Sequence, residues 1–266
     1  MSRIPFLNRG VYHVVLKIAT QRLIAHRNVW NTKPILKQLY VKWYQNMMSY
    51  TTPGRILEIG SGPGNLSELY PEVIATDIVF CPWLDLVTHA SSLPFRKGSL
   101  QNIVIVDVLH HIANIVVFFE KLQRVLSPGG RIVMLEPYIS PFSRLVFKLV
   151  HPEPVDLTID PLCTRGKLFD DSDPFDSNQA IPTLLFWRDL KRFEATFPML
   201  KVLHRERCAF LAYPLSGGFE HRNLVPSMVL SALQCFVEYI SLFSRLLSFR
   251  CLCVLEYCSL TGIHHH

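Results

Sequence analysis

The side chains able to do chemistry gather first at positions 58–64, which read Glu58-Ile-Gly60-Ser61-Gly62-Pro-Gly64. An apolar run suited to a buried strand ends on the Glu58 carboxylate, and three glycines follow at alternating positions. Glycine has no Cβ, so such a stretch turns sharply and lets backbone approach a ligand closely. A helix beginning near Asn65 aims its unpaired N–H groups at the same crevice. The next short strand, Val73 to Thr76, ends on Asp77, whose carboxylate suits both hydroxyls of a ribose. An adenosine-type cofactor is expected there. Dinucleotide sites use G-x-G-x-x-G, whereas this loop is E-x-G-x-G-x-G, which argues against them.

Three later segments follow in a fixed order. They are Ala90-Ser-Ser-Leu-Pro-Phe95, then Gly98 through Asp107-Val-Leu-His-His111, then Val125-Leu-Ser-Pro-Gly-Gly-Arg-Ile-Val-Met-Leu-Glu136. With the glycine loop, residues 54–137 resemble the class I S-adenosylmethionine (SAM) methyltransferases, in the branch of the ubiquinone and menaquinone biosynthesis enzymes. The resemblance implies that Glu58, Gly60, Ser61, Gly62 and Gly64 shape the methionine and ribose pocket and that Asp77 takes the ribose. It places Asp107 and Leu109 beside the methionine moiety and His89 and Ala90 next to adenine. The family usually has an acid where His89 stands, so the side-chain contact to the adenine amino group departs from the pattern.

Methyl transfer from a sulfonium is an in-line displacement, for which a protein mainly aligns the reactants and excludes water. An oxygen acceptor must also lose its proton, which a histidine or carboxylate can take. His110 and His111 follow the fourth strand and are candidates, although a structural pair, one packing inward and one capping the next helix, is the favoured reading of them. His151, with Glu153 and Asp156 nearby, is the other candidate; Asp176, Asn178 and Gln179 could bind polar substrate atoms. No metal is expected. A metal-assisted catechol enzyme needs clustered carboxylates that Asp107 alone does not supply, and Cys251, Cys253 and Cys258 lack a suitably spaced histidine partner.

Alternating strands and crossovers must position these groups. Strands are expected at 55–60, 73–77, 84–88, 102–107, 131–136, 200–211 and 250–257, with helices from 64, at 114–126 and at 183–197. The expected fold is α/β: a Rossmann-like, doubly wound, seven-stranded sheet, mostly parallel, with an antiparallel last strand. A Cys81-Pro82-Trp83 turn replaces one crossover helix, leaving a sheet face for the N-terminal helices to cover. Residues 137–182 read as a long Pro- and Asp-rich lid, and 224–248 as an apolar helical insertion before the last strand. The organisation expected is N-terminal helices over 1–50, a methyltransferase domain over 51–263 and a tag remnant at 264–266.

The chain has 266 residues, 49% hydrophobic, with a net charge of +6. No uninterrupted apolar run reaches the roughly 20 residues that cross a bilayer. Seven scattered cysteines suit a reducing, cytoplasmic setting. Charge is unevenly placed: residues 1–50 hold eight bases and no acid, so the rest of the chain carries −2. A basic amphipathic helix pair fits an anionic membrane surface, a lid over the crevice, or plain packing on the core. No recognition motif accompanies the charge, which argues against nucleic acid. The expected function is SAM-dependent methylation of a small or lipid-like acceptor at oxygen. A non-catalytic SAM-fold subunit and another Rossmann-type nucleotide enzyme are the alternatives. Oligomeric state is left open.

Overall fold

The structure, a computed structural model, describes residues 9–150, 153–163, 167–169, 175–209, 212–226, 228–229 and 243–259. The strands are β1 (Ile56–Ile59), β2 (Ile74–Asp77), β3 (Leu86–Val87), β4 (Leu100–Val106), β5 (Leu126–Pro137), β6 (Leu200–Cys208) and β7 (Arg250–Tyr257). They form one sheet in the order β3-β2-β1-β4-β5-β7-β6. The first five run parallel, and β7 lies antiparallel between β5 and β6. Strand order reverses at β1, which pairs with both β2 and β4. In open α/β sheets ligands bind outside the carboxyl ends of strands at such a switch point.

Both faces of the sheet are covered, as parallel strands require, and the side-chain alternation of a strand assigns residues to each face. Ile103, Ile105, Ile132, Met134, Cys251, Cys253 and Leu255 face a layer containing Phe118 and Phe119 of α4 (Ile115–Val125). Val104, Val133, Leu135, Leu252 and Val254 face the opposite layer. That layer is built by α1 (Arg9–Thr32) and α2 (Pro34–Ser49), through Trp30, Leu36, Tyr40, Tyr44 and Met47. Helix α2 has no side-chain N-cap, and an isolated helix of its length is marginal in water. Burying each large apolar side chain is worth about 1.5–3 kcal/mol, so packing holds it. After β2 the chain turns through Cys81-Pro82-Trp83, and Ala19 and Leu23 of α1 pack on Val79 and Cys81. Helix α3 (Asn65–Leu69) follows the glycine loop.

Three expectations need correction. The 137–182 connection is not all loop, because Pro141–Val150 forms helix α5. Its proline stands in the first turn, where a missing N–H costs nothing, and Ser140 and Ser143 each accept the other's backbone N–H. The helix expected at 183–197 is broken. Helix α6 (Ile181–Thr183) runs into a π-turn, Leu184–Arg188, before α7 (Leu190–Thr196), and Asp189 N–H reaches the Leu184 carbonyl at 2.7 Å. Strand β6 stops at Cys208 because Ala209 takes a φ of +54°. The 224–248 insertion falls mostly outside the described residues. No helix among the described residues is long and apolar enough to cross a membrane.

Candidate functional site

At the end of β1 the backbone reverses through Gly60, at φ +73°. A Cβ there would lie 2.2 Å from Val108 Cγ2, so this close approach excludes any side chain. Gly62 N–H donates to Asp77 Oδ2 at 2.8 Å and Val79 N–H to Oδ1 at 2.9 Å. Asp77 therefore locks the loop to the end of β2. Burial raises its pKa, and those backbone donors pull the other way. Behind the loop, burial pushes the Glu58 carboxyl up to about 7, opposed by the neighbouring Ser61 hydroxyl.

Helix α1 lies across this loop. Leu23 approaches Gly62. Arg27 donates to the Pro63 carbonyl and sits 4.6 Å from the centre of the Trp83 ring. Trp83 Nε1 in turn donates to the Gly62 carbonyl at 2.9 Å. Leu23 and Arg27 of α1, together with Trp83 from the turn after β2, thus roof the glycine backbone.

A second polar group forms where β4 ends. Asp107 takes a φ of +56°, and Arg250 grips its carboxylate. The next two N–H groups, of Val108 and Leu109, donate to Glu136 Oε1 at 2.9 and 2.8 Å. Glu136 Oε2 lies 2.8 Å from His110 Nδ1, and His110 Nε2 faces Glu153 Oε2 at 3.5 Å. Burial disfavours the His110 cation, yet the two carboxylates more than offset it and raise its pKa to about 10. Burial first, then the His110 charge, pushes His111 down to about 4. His111 Nδ1 meets the Asp176 carbonyl at 3.0 Å. Ser177 Oγ and Gln179 Nε2 both donate to Glu153 Oε2. Beside this group opens a cavity of about 390 Å³ lined by Arg22, Glu153, Phe169, Phe175, Asp176 and Ser177. Val108 touches both the glycine loop and Glu136, so one residue separates the two groups.

The other sequence candidates fall as follows. His89 is exposed, with Nδ1 2.7 Å from Ser91 Oγ, and Ala90 is half-buried. The Leu109 side chain is wholly buried in the core. The helix-capping role considered for a histidine belongs to Asn114, whose Oδ1 accepts from Val117 N–H. His151 lies outside the described residues. Asn178 is structural: its amide bonds the Asp156 and Ala180 backbone. Asp156 is tied up in a turn with Thr158. Sequence reasoning missed Glu136 as a partner of His110 and Arg250 as a partner of Asp107. Neither contact has a short-range signal, since 26 and 143 residues separate the partners.

The glycine loop and the Asp77 carboxylate stand at the carboxyl ends of β1 and β2, where the strand order reverses, a layout that resembles class I SAM-dependent methyltransferase domains. Residues 57–134 match the family model described as a methyltransferase domain. A demethylmenaquinone methyltransferase of Symbiobacterium thermophilum is 28% identical over 131 residues, covering 40% of this chain and 52% of that protein. One from Tropheryma whipplei strain Twist is 27% identical over 127 residues, covering 40% and 53%. The chain thus spans about half the length of these curated relatives. A SAM-dependent methyltransferase structure from Archaeoglobus fulgidus aligns with TM-score 0.48 and 16% identity, over 83% of this chain and 93% of that one.

The residues present fit SAM. Glu58 Oε2 and Ser61 Oγ are buried beside the loop, and apart from each other they have no hydrogen-bond partner among the described residues. They suit the α-ammonium group at the amino-acid end of the cofactor. A carboxylate offers about four acceptor positions, so Asp77 keeps capacity for ribose hydroxyls beyond its bonds to Gly62 and Val79.

Proposed function

We propose that this chain is a SAM-dependent methyltransferase acting on a small or lipid-like acceptor at oxygen, with a quinone-like ring as its acceptor class. One observation carries the reading. The glycine crevice and the His110–His111–Glu153 group, buried at His110 and half-buried at the other two, stand on either side of Val108, so a cofactor site and a polar site meet at the end of β4. The ring class is supported by the demethylmenaquinone methyltransferases that the chain resembles and by Phe169 and Phe175 in the cavity wall.

When bound, SAM supplies a methyl group already activated on a sulfonium. Glu58 and Asp77 would hold its two ends and fix the methyl relative to β4, which is where positioning lowers the barrier. Helix α1 would close over the glycine loop through Leu23 and Arg27 and exclude water. The polar group beyond Val108 would receive the acceptor's hydroxyl and the proton it releases.

The lid reading of the N-terminal helices is favoured over a charged membrane face. Arg22 pairs with Glu220, Lys37 with Glu68, and Lys33 donates to the Gly218 and His221 carbonyls. With Arg27 on the glycine loop, these bases face the protein itself.

Isothermal titration with SAM, S-adenosylhomocysteine and NAD tests the cofactor, and turnover of quinol-type acceptors tests the reaction. Tight NAD binding without SAM binding would overturn the reading. S-adenosylhomocysteine binding with no turnover of any acceptor in lipid extracts would favour a non-catalytic subunit.

A further inference from the structure

We infer that His110, His111 and Glu153 form a binding site for a divalent transition metal, zinc by its donor set, with an open position toward the adjacent cavity. One ligand atom from each residue lies within 4.8 Å of the other two. His110 Nε2 and Glu153 Oε2 are 3.5 Å apart. Zinc–ligand bonds of about 2.0–2.1 Å at tetrahedral angles place two donors about 3.4 Å apart. That pair is therefore already at binding separation, and the His111 donor lies within 4.8 Å of both.

The outer partners make this more than a chance cluster. A metal-bound histidine almost always donates its other ring N–H to a carboxylate or backbone carbonyl, which fixes its tautomer and aim. Both histidines are arranged so: His110 Nδ1 on Glu136, and His111 Nδ1 on the Asp176 carbonyl. Glu136 is itself anchored by the Val108 and Leu109 N–H groups. Glu153 is oriented by Ser177 and Gln179. The ligands come from two segments about 40 residues apart in sequence and are held from behind by two others, at Glu136 and at 176–179.

Two imidazoles and one carboxylate are the ligand set of a catalytic zinc, which keeps its fourth position for water or substrate. Glu153 lines the cavity with Asp176, Ser177, Phe169 and Phe175. The ligand suited to that position is an oxygen donor on a flat ring, a phenol or quinol hydroxyl, whose pKa the metal lowers. This last role rests on the methyltransferase reading; the metal site does not.

The test uses the full chain with His264→Ala, His265→Ala and His266→Ala, which removes a competing tail site. After chelator treatment it is titrated with zinc sulfate alone, and bound zinc is counted per chain. The expected result is one zinc per chain. Glu136→Gln should weaken it about 10–100-fold through the outer partner, and His111→Ala and Glu153→Gln by more. Circular dichroism of each variant confirms that it is folded. Absence of bound zinc in the background chain, or equal affinity in folded His111→Ala and Glu153→Gln, overturns the site. S-adenosylhomocysteine titration of the same samples separates the two readings. Zinc binding without nucleoside binding upholds the metal site and removes the methyl-transfer role, while nucleoside binding without zinc does the reverse.

Discussion

Asp107 at the end of β4 and Arg250 at the start of β7 form a two-pronged ion pair across 143 residues of sequence, with N···O distances of 2.6 and 2.8 Å. The guanidinium lies 4.4 Å from the Tyr213 ring centre and 5.0 Å from Trp43, and it also donates to the Tyr40 hydroxyl. The pair ties the antiparallel edge to the turn that presents Val108, Leu109 and His110. Its Arg250 side is only 5% exposed, its Asp107 side 32%. Removing one partner of a buried pair strands the other charge at a cost of about 3–5 kcal/mol. Partial exposure of Asp107 puts Asp107→Asn near the lower end, about 3 kcal/mol. Urea denaturation checks this, and Asp107→Asn with Arg250→Met should cost less than the two singles summed. Strict additivity would mean the pair is not coupled.

Asp77 is expected to contribute directly to cofactor affinity. Losing a charged hydrogen-bonding partner costs about 1–3 kcal/mol, so Asp77→Ala should weaken SAM binding by roughly 5- to 150-fold in isothermal titration. The same change also frees the Gly62 and Val79 N–H groups. A Tm measured without cofactor separates loop loosening from lost ribose contacts. An unchanged dissociation constant would mean the ribose lies elsewhere.

Gly60 gives a sharper test of the crevice geometry. Gly60→Ala combines a φ of +73° with a Cβ 2.2 Å from Val108 Cγ2. Val108→Ala in the same chain removes the collision but leaves the left-handed backbone, which costs about 1–2 kcal/mol for a residue with a Cβ. Partial recovery of stability and of S-adenosylhomocysteine affinity in the double variant is the expected outcome. Full recovery would show that sterics alone matter at this turn.

The architecture was legible in the sequence because each strand is a short apolar run ended by a turn signal, and the glycine loop fixes where the ligand crevice must fall. Asp77 was legible for the same local reason: it ends a strand. The polar group was half legible. His110 and His111 announce themselves after β4, but what they do depends on Glu136, Glu153 and Asp176, which only the sheet register and the return of the 153–179 segment bring close. Prolines misled where Pro141 starts a helix that the composition suggested was loop. Periodicity could not show the π-turn at Leu184–Arg188, since the unbroken apolar run Leu184-Leu-Phe-Trp187 carries no period against which an extra residue would register.

Glu58 links stability to pH. Its ordinary carboxyl value is 4.5 and burial raises the folded value to about 7. Between those values the folded chain holds a proton that the unfolded chain has released. Stability is thus fully present below 4.5, falls as pH rises toward 7, and is flat above, a change on the order of 3 kcal/mol. Urea midpoints at pH 5, 6, 7 and 8 read this slope (about 1 kcal/mol per unit at its steepest). Comparison with Glu58→Gln isolates it from the other titrating groups: the difference between the two proteins should narrow steadily toward pH 5. A difference independent of pH would mean Glu58 ionises normally.

The N-terminal helices should behave as a latch on the cofactor loop and not as an electrostatic membrane anchor. Arg27 is the latch residue, since among the described residues it alone joins α1 to both the Pro63 carbonyl and the Trp83 ring. One charged hydrogen bond and a partly buried cation–π contact amount to about 2–3 kcal/mol if both are lost. Arg27→Ala should therefore speed S-adenosylhomocysteine dissociation by roughly 10-fold or more, read by stopped-flow fluorescence of Trp83. Exposed Val14 and Ile18 on the outer face of α1 leave room for apolar contact with vesicles. That contact is insensitive to salt, whereas attraction between bases and anionic lipid is screened beyond about 8 Å at physiological ionic strength. Equal co-sedimentation with neutral and anionic vesicles fits a latch. Strong, salt-sensitive preference for anionic vesicles would mean that the basic segment turns outward, and the arginine contacts to the glycine loop would then have to break when it does.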